Sequence, residues 1–319
     1  MTDLATESPR AAALTGLRTI ADCIRWGAGR LRSSRVMIGH SEDNPLDEAR
    51  SLTLHALHLP HDAPGSFAQA RLLDSEIEAV RVLIQKRIDQ RIPAAYLIGR
   101  AQFAGLRLIS DPRALVPRSP IAELIQNGFQ PWLGQRSVQG VLDLCTGGGS
   151  IAVAMAVHRP DWQVDALDLS ADALALAAEN RDLHRLGARL NLLQSDLFGA
   201  LTDQVYDLIV SNPPYITDDE YAAMPLEYGY EPKLGLTSGS DGLDACLRIL
   251  RDAVPHLAEH GLMIVEIGEA QRALQKLLPT LPLNWIEFAV GQMGVFVIEA
   301  SDLREYQPII RKCCAERGL

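Results

Sequence analysis

The sequence predicts an α/β protein: a mostly parallel sheet with helices on both faces in the C-terminal two thirds, preceded by a small all-helical region. Three observations carry this. From Gly140 onward, apolar strand-like runs alternate with stretches of helical length. The first of these strands ends in an acid and a glycine cluster, VLDLCTGGGS. Residues 13–95, in contrast, show only helical periodicity. Regular alternation of strand and helix implies a parallel sheet covered on both sides.

With 319 residues, 47% of them hydrophobic, the chain can build two domains and a sizeable core. Forty acidic residues against 30 basic ones give a formal net charge of −10, which disfavours a general nucleic-acid-coating surface. The five cysteines (Cys23, Cys145, Cys246, Cys313 and Cys314) include no C-x-x-C pair. A disulfide framework or a zinc site is therefore not expected, and a reducing cytoplasm fits best. His55, His58 and His61 lack a supporting ligand cluster and read as a helix end with surface histidines. The N-terminus is too polar for a signal peptide, and no apolar run approaches the ~18 residues of a membrane span.

Residues 1–12 read as a flexible tail. In TGLRTIADCIRWGAGRL, Leu17, Ile20, Ile24 and Leu31 fall at helical spacing. A second helix follows SEDNP: Asp43 and Asn44 are cap-type residues, and Pro45 suits a first helical turn. Asp47 and Glu48 suit its positive end, and Pro60 closes it. DSEIEAVRVLIQKRIDQRI places Ile77, Val80, Leu83, Ile84 and Ile88 on one side of a third helix. This region, 13–95, is expected to recognise a partner rather than to do chemistry. Residues 96–118 read as a β-hairpin linker broken by glycine and proline.

The remaining domain, 119–319, opens with a helix at IAELIQNGFQPWL. Strands are expected at VLDLCTG, WQVDALDLS, LNLLQSDLF, YDLIV and LMIVEIG. Helices are expected at SIAVAMAVHR, ADALALAAENRDLHRLG, GLDACLRILRDAVPHLAEHG and AQRALQKLLPTL. The closing strands, NWIEFAV and GVFVIEA, are joined by GQMG and suit an antiparallel hairpin at the sheet edge.

Gly147, Gly148 and Gly149 let the backbone pass close to a ligand, and the helix behind them offers free N–H groups. The pattern is neither G-x-G-x-x-G nor a P-loop, which argues against a dinucleotide and against an NTPase. Asp168 ends the next strand 19 positions after Gly149, where a ribose-binding carboxylate is expected. Asp196, in QSDLF at the third strand end, suits the neighbourhood of an adenine ring or a helix cap. Adenosine without a phosphate cradle, beside the acid Asp143, suggests S-adenosylmethionine, whose ammonium a carboxylate can favour.

The fourth strand leaves through SNPPY. Pro213 and Pro214 fix φ and donate no N–H, and Pro213 holds Asn212 extended. A rigid turn at a strand end suits a planar NH₂ group, whose delocalised lone pair makes it a poor nucleophile. The Asn212 side-chain oxygen and the Pro213 carbonyl can accept both of its N–H bonds, orienting it and stabilising developing positive charge. Tyr215 can pack on the planar group, and no strong general base is required.

DLCTGGGSIAVA and SNPPYI together resemble the class I S-adenosylmethionine-dependent methyltransferases of planar NH₂ groups. RIPAAYLIG, ALVPRSPIAELI and EYGYEPKLGLTSGSDGLD resemble the HemK-like protein glutamine N5-methyltransferases. The likeness is greatest to the PrmB branch, which modifies a glutamine of the third large-subunit ribosomal protein. The sister branch, acting on the GGQ glutamine of release factors, usually has PRPDTE where this chain has PRSPIAE at 117–123.

The resemblance implies a Rossmann-like catalytic domain, S-adenosylmethionine converted to S-adenosylhomocysteine, no metal, and a ribosomal protein as partner. It implies no membrane and no direct nucleic-acid substrate. It assigns cofactor contacts to Cys145, Thr146, Gly147, Gly148 and Gly149, to Asp168 with Leu169, and to Leu197 beside the adenine. Asn212, with Pro213, Pro214 and Tyr215 around it, is assigned to the target amide and borders the cofactor. Arg118, Glu231 and Pro232 match segments that shape the substrate channel. Gly148 departs from the family pattern, where serine or threonine is frequent, and is expected to loosen the turn without abolishing binding. The alternatives at this level are release-factor methylation, adenine N6-methylation of nucleic acid, and a non-catalytic ribosome-assembly factor that binds the cofactor.

Overall fold

The computed structural model describes residues 16–39, 44–288 and 294–319. The tail at 1–12, the cap-type Asp43 and most of the GQMG turn lie outside the described residues. The chain divides into two compact units, 1–98 and 99–319. Among the described residues, no helix is long and apolar enough to cross a membrane.

The first unit holds α1 (Ile20–Ser33), α2 (Pro45–Ala56), α3 (Asp74–Gln90) and the short α4 (Ala94–Ile98). Thr19 and Asp22 form a reciprocal capping box at the start of α1, satisfying backbone donors that the helix cannot. Asn44 caps α2 by accepting from the Leu46 and Asp47 amides. The apolar faces read from the sequence meet in one core of Leu17, Cys23, Leu31, Leu52, Val80 and Ile84. Within it, Arg87 Nε donates to Glu48 Oε1 at 2.9 Å, with both side chains almost wholly buried.

The second unit begins with a hairpin, β1 (Arg100–Phe103) and β2 (Leu106–Ile109), that turns through Ala104 and Gly105, both at positive φ. There follow α5 (Ile121–Gln126), β3 (Gly140–Leu144), α6 (Ser150–His158), β4 (Gln163–Asp168), α7 (Ala171–Leu183), β5 (Leu190–Gln194) and β6 (Tyr206–Ser211). After these come α8 (Asp218–Ala223), α9 (Asp244–Asp252), β7 (Leu257–Glu266), α10 (Gln271–Leu277), β8 (Asn284–Trp285), β9 (Val295–Glu299), α11 (Ala300–Glu305) and α12 (Gln307–Arg317).

Among the described residues, the large sheet has seven strands in the order β5-β4-β3-β6-β7-β9-β8. The first five of these strands are mutually parallel; β9 runs antiparallel to both β7 and β8, which places the expected hairpin at that edge. Side chains alternate between two apolar layers. Val141, Leu208, Val210 and Ile264 face the layer built with α5 and α6. Leu142, Leu144, Ile209 and Val265 face the layer built with α9 and α12. Chain order reverses between β3 and β6, so a crevice opens beyond their carboxyl ends, where open α/β sheets bind ligands.

The single helix expected over 242–261 is shorter. α9 stops at Asp252, Pro255 sits in a separate 3₁₀ turn, and Leu257 already pairs with Tyr206 as the start of β7. Proline supplies no N–H to continue a helix. Leu257 keeps the helical apolar spacing but buries itself as a strand residue.

Candidate active site

Three strand ends build the site. β3 ends at Leu144 beside Ser211 of β6 and Leu167 of β4. Neighbouring strands lie about 4.8 Å apart. The glycine turn after β3, Asp168 at the end of β4 and Asn212 after β6 are therefore adjacent although Gly147 and Asn212 stand 65 positions apart in the chain (212 − 147).

The Asp143 side chain is completely buried beneath the turn. Its Oδ2 accepts from Thr146 Oγ1 at 2.6 Å and from the Ala152 amide of α6 at 3.0 Å. Its Oδ1 is buried with no partner among the described residues. Burial pushes this carboxyl up to about 7, against the pull of those two hydrogen bonds. A buried acceptor that the chain leaves without a donor keeps its capacity for a bound water or ligand.

Asp168 ties the turn to the second strand. Its Oδ2 accepts from Gly147 N at 2.7 Å and its Oδ1 from Ser170 N at 2.8 Å. Burial raises its pKa, and these amides offset part of the rise. Each carboxylate oxygen keeps a further lone pair for a hydroxyl donor.

The glycines have distinct reasons. Gly149 has φ +81°, and a Cβ there would lie 3.0 Å from that of Ala177. At Gly148 a Cβ would come within 3.1 Å of Leu176 Cδ2, so the departure from serine or threonine is matched by a leucine that fills the space. Asn180 of α7 braces the turn from behind by donating to Gly148 O at 2.9 Å.

Cys145 adopts φ +59° and Leu197 φ +48° beside the site. Burial raises the Cys145 thiol, helped by the nearby Asp168 charge, so it stays protonated. Leu197 is buried, whereas the Leu169 side chain is exposed. The Asp196 carboxylate is also exposed and pairs with Arg248 at 2.8 Å.

Asn212 is half-buried, and no hydrogen bond engages its side-chain amide among the described residues. Its surroundings are rigid. The Tyr215 and Ile216 amides both donate to Leu236 O, at 3.2 and 2.9 Å. Tyr215 is gripped from two sides: a Cβ at Gly242 would lie 2.1 Å from its carbonyl oxygen, and one at Gly268 would lie 2.6 Å from its ring. Arg118 and Glu231, 113 positions apart, form a two-bond ion pair at 2.6 Å for each bond. Arg118 also stands 5.4 Å from the Tyr228 ring centroid. Burial opposes the Arg118 charge, but the Glu231 bonds outweigh it and hold the guanidinium above its ordinary value. Pro232 opens the turn that presents Leu236 O to Tyr215.

Two residues not singled out in the sequence join the site. Ser211 donates from Oγ to Leu144 O at 2.8 Å, fastening β6 to β3 just before Asn212. Glu266, at the end of β7, accepts from the Ser119 hydroxyl and from Tyr215 Oη at 3.3 Å. An acid closing an apolar strand, as in LMIVEIG, is the same signal that marks Asp143 and Asp168.

A family model described as "Methyltransferase small domain" matches residues 129–225, from the approach to β3 through the end of α8. The chain is 56% identical over 308 residues to a ribosomal protein uL3 glutamine methyltransferase of Xanthomonas campestris, covering 96% of this chain and 99% of that one. It is 54% identical over 306 residues to the protein of that name from Xylella fastidiosa, covering 96% and 98%. It is 40% identical over 300 residues to the one from Francisella tularensis, covering 94% and 96%. With strand-end acids, a glycine turn and Asn-Pro-Pro-Tyr at one crevice, and with relatives matched along nearly their whole length, the chain belongs to the ribosomal protein uL3 glutamine methyltransferase family.

Proposed function

We propose that the chain transfers a methyl group from S-adenosylmethionine to the side-chain amide nitrogen, N5, of a glutamine in ribosomal protein uL3. The observation that carries the reading is Asn212: a side-chain amide unengaged among the described residues, followed by two prolines, one strand away from the buried Asp143 oxygen that likewise has no partner among them. The donor set fits the cofactor. Asp143 would take its ammonium, directly or through water, and Asp168 its ribose hydroxyls. Residues 145–149 would pass beneath it, and Leu197 would lie against the adenine. When bound, S-adenosylmethionine supplies an electrophilic methyl carbon on a sulfonium and remains as S-adenosylhomocysteine.

The protein's own part is positioning. Asn212 Oδ1 and the Pro213 carbonyl accept the two N–H bonds of the glutamine amide and point its nitrogen in line with the methyl group. The same two oxygens stabilise the positive charge that grows on nitrogen as the new bond forms. Pro213 and Pro214 keep these acceptors from relaxing, and Tyr215 packs on the amide plane. The extra proton leaves the nitrogen after transfer. Arg118, Glu231 and Pro232 wall the approach to the turn.

The helical region, 13–95, is the proposed reader of the uL3 surface, and its exposed Phe67, Leu73 and Val82 offer apolar contacts. The cytoplasm is the proposed place of action, consistent with five free thiols. Purified protein with methyl-tritiated donor, offered uL3, a release factor and ribosomal RNA separately, tests the acceptor. Label in uL3 is the expected result. Label confined to the release factor would move the acceptor, and label confined to RNA would overturn the amide reading.

A further inference from the structure

Glu266 leaves β7 in step with Asn212 leaving β6, because the preceding residues, Val265 and Ser211, are paired across the two strands. It is only 5% exposed. Glutamates are rarely buried so deeply without a cation, yet its hydrogen-bond partners among the described residues are two hydroxyls, Ser119 Oγ and Tyr215 Oη. The cation next to Ser119, Arg118, is held by both oxygens of Glu231. Gly268, two residues beyond Glu266, bounds the Tyr215 ring on one side: a Cβ there would lie 2.6 Å from it.

An ionised carboxylate only accepts, so it can hold both hydroxyls at once. A protonated one carries an O–H of its own and accepts more weakly at that oxygen, so one of the two hydroxyl bonds is turned round or loosened. We propose that Glu266 is a positioning residue for methyl transfer: its carboxylate holds the Tyr215 hydroxyl, and through it the ring that packs on the target amide, so the site is fully assembled only when Glu266 is ionised. This rests on the reading of Asn-Pro-Pro-Tyr as the amide site.

Among the described residues, the titratable and charged groups around Glu266 are Tyr215 after β6 and Arg118 before α5, with Tyr228 and Glu231 behind Arg118. Across the sheet, β9 contributes Val295, which carries no charge. Burial pushes the Glu266 carboxyl up to about 7, with Ser119, Tyr215 and the Arg118 charge pulling it down. The proton is therefore expected to leave Glu266 near neutral pH.

Glu266→Gln keeps the shape, cannot ionise, and accepts through one oxygen only. Two measurements separate the coupling from the reaction. First, protein carrying carbon-13 at tyrosine Cζ is titrated from about pH 5.5 to about pH 8.5 without substrate. The Tyr215 resonance, identified by its loss in Tyr215→Phe, should move with a midpoint near 7 and should stay flat in Glu266→Gln. Second, kcat for uL3 methylation is followed over the same range. The unsubstituted protein should lose activity on the acid side with an apparent pKa near 7. Glu266→Gln should show kcat at least about tenfold lower at alkaline pH, no acid limb, and a KM for the donor within about twofold. An acid limb that persists unchanged in Glu266→Gln, or a Tyr215 resonance indifferent to pH, overturns the proposal. A titrating Tyr215 in a protein that methylates no uL3 at any pH would uphold the coupling and overturn the functional reading instead.

Discussion

Asn212 is a polar side chain that no hydrogen bond engages among the described residues. Its loss should spare the structure and remove the group that orients the acceptor nitrogen. Asn212→Ala is expected to lower kcat by about 10²-fold or more, with donor affinity by calorimetry nearly intact. Asp168 should behave in the opposite way, since it anchors Gly147 and Ser170 and faces the proposed ribose. Asp168→Ala should weaken donor binding by about 10–100-fold before it affects the chemical step, the range expected for charged hydrogen bonds. Asp143 carries a stability signature. Its folded carboxyl sits at about 7 against an ordinary 3.8, so the folded chain holds the extra proton between those values and loses stability as pH rises through them. Asp143→Asn should therefore melt higher than the unsubstituted apo protein at pH 8, by about 2–4 °C for each kcal/mol relieved, while binding the donor more weakly. The advantage should shrink toward pH 5. A melting point that is unchanged or lower at pH 8 would contradict the desolvation of Asp143.

The elements that position the site are also those the sequence declares most openly. β3, β6 and β7 are central parallel strands covered on both faces, so they read as near-continuous apolar runs, and their terminal acids and prolines stand out against them. The reach of α9 was not legible, because Leu257 preserves helical spacing whether it lies in a helix or opens a strand. Nor was the company of Glu266, because Ser119 stands 147 positions away and only the sheet order brings them together. Asp196 shows the limit of the acid-after-strand signal: the same pattern that marks Asp168 here yields a surface pair with Arg248. In the helical unit, the buried Arg87–Glu48 pair makes a different kind of prediction. Arg87→Met removes the guanidinium from a buried carboxylate and should cost about 3–5 kcal/mol. Proteolysis should then cut within 16–98, while donor binding by residues 99–319 persists; cleavage spread over both units would count against independent folding.

At the scale of the molecule, the formal net charge of −10 would complement an acceptor with a basic surface. Encounter with uL3 should be steered by charge. Raising salt from about 0.05 M to about 0.3 M should lower kcat/KM for uL3 and leave kcat nearly constant. A salt-independent kcat/KM would assign recognition to apolar contact alone. One crevice, between the ends of β3, β4 and β6, is proposed to deliver the methyl group to an amide nitrogen. The most direct measurement is tandem mass spectrometry of uL3 after reaction with the purified protein and a deuterated methyl donor. The account predicts one added methyl group, on the side-chain nitrogen of a glutamine, and its absence from the product of Asn212→Ala. A methyl group on a lysine, an arginine or the backbone, or equal labelling by Asn212→Ala, would contradict it.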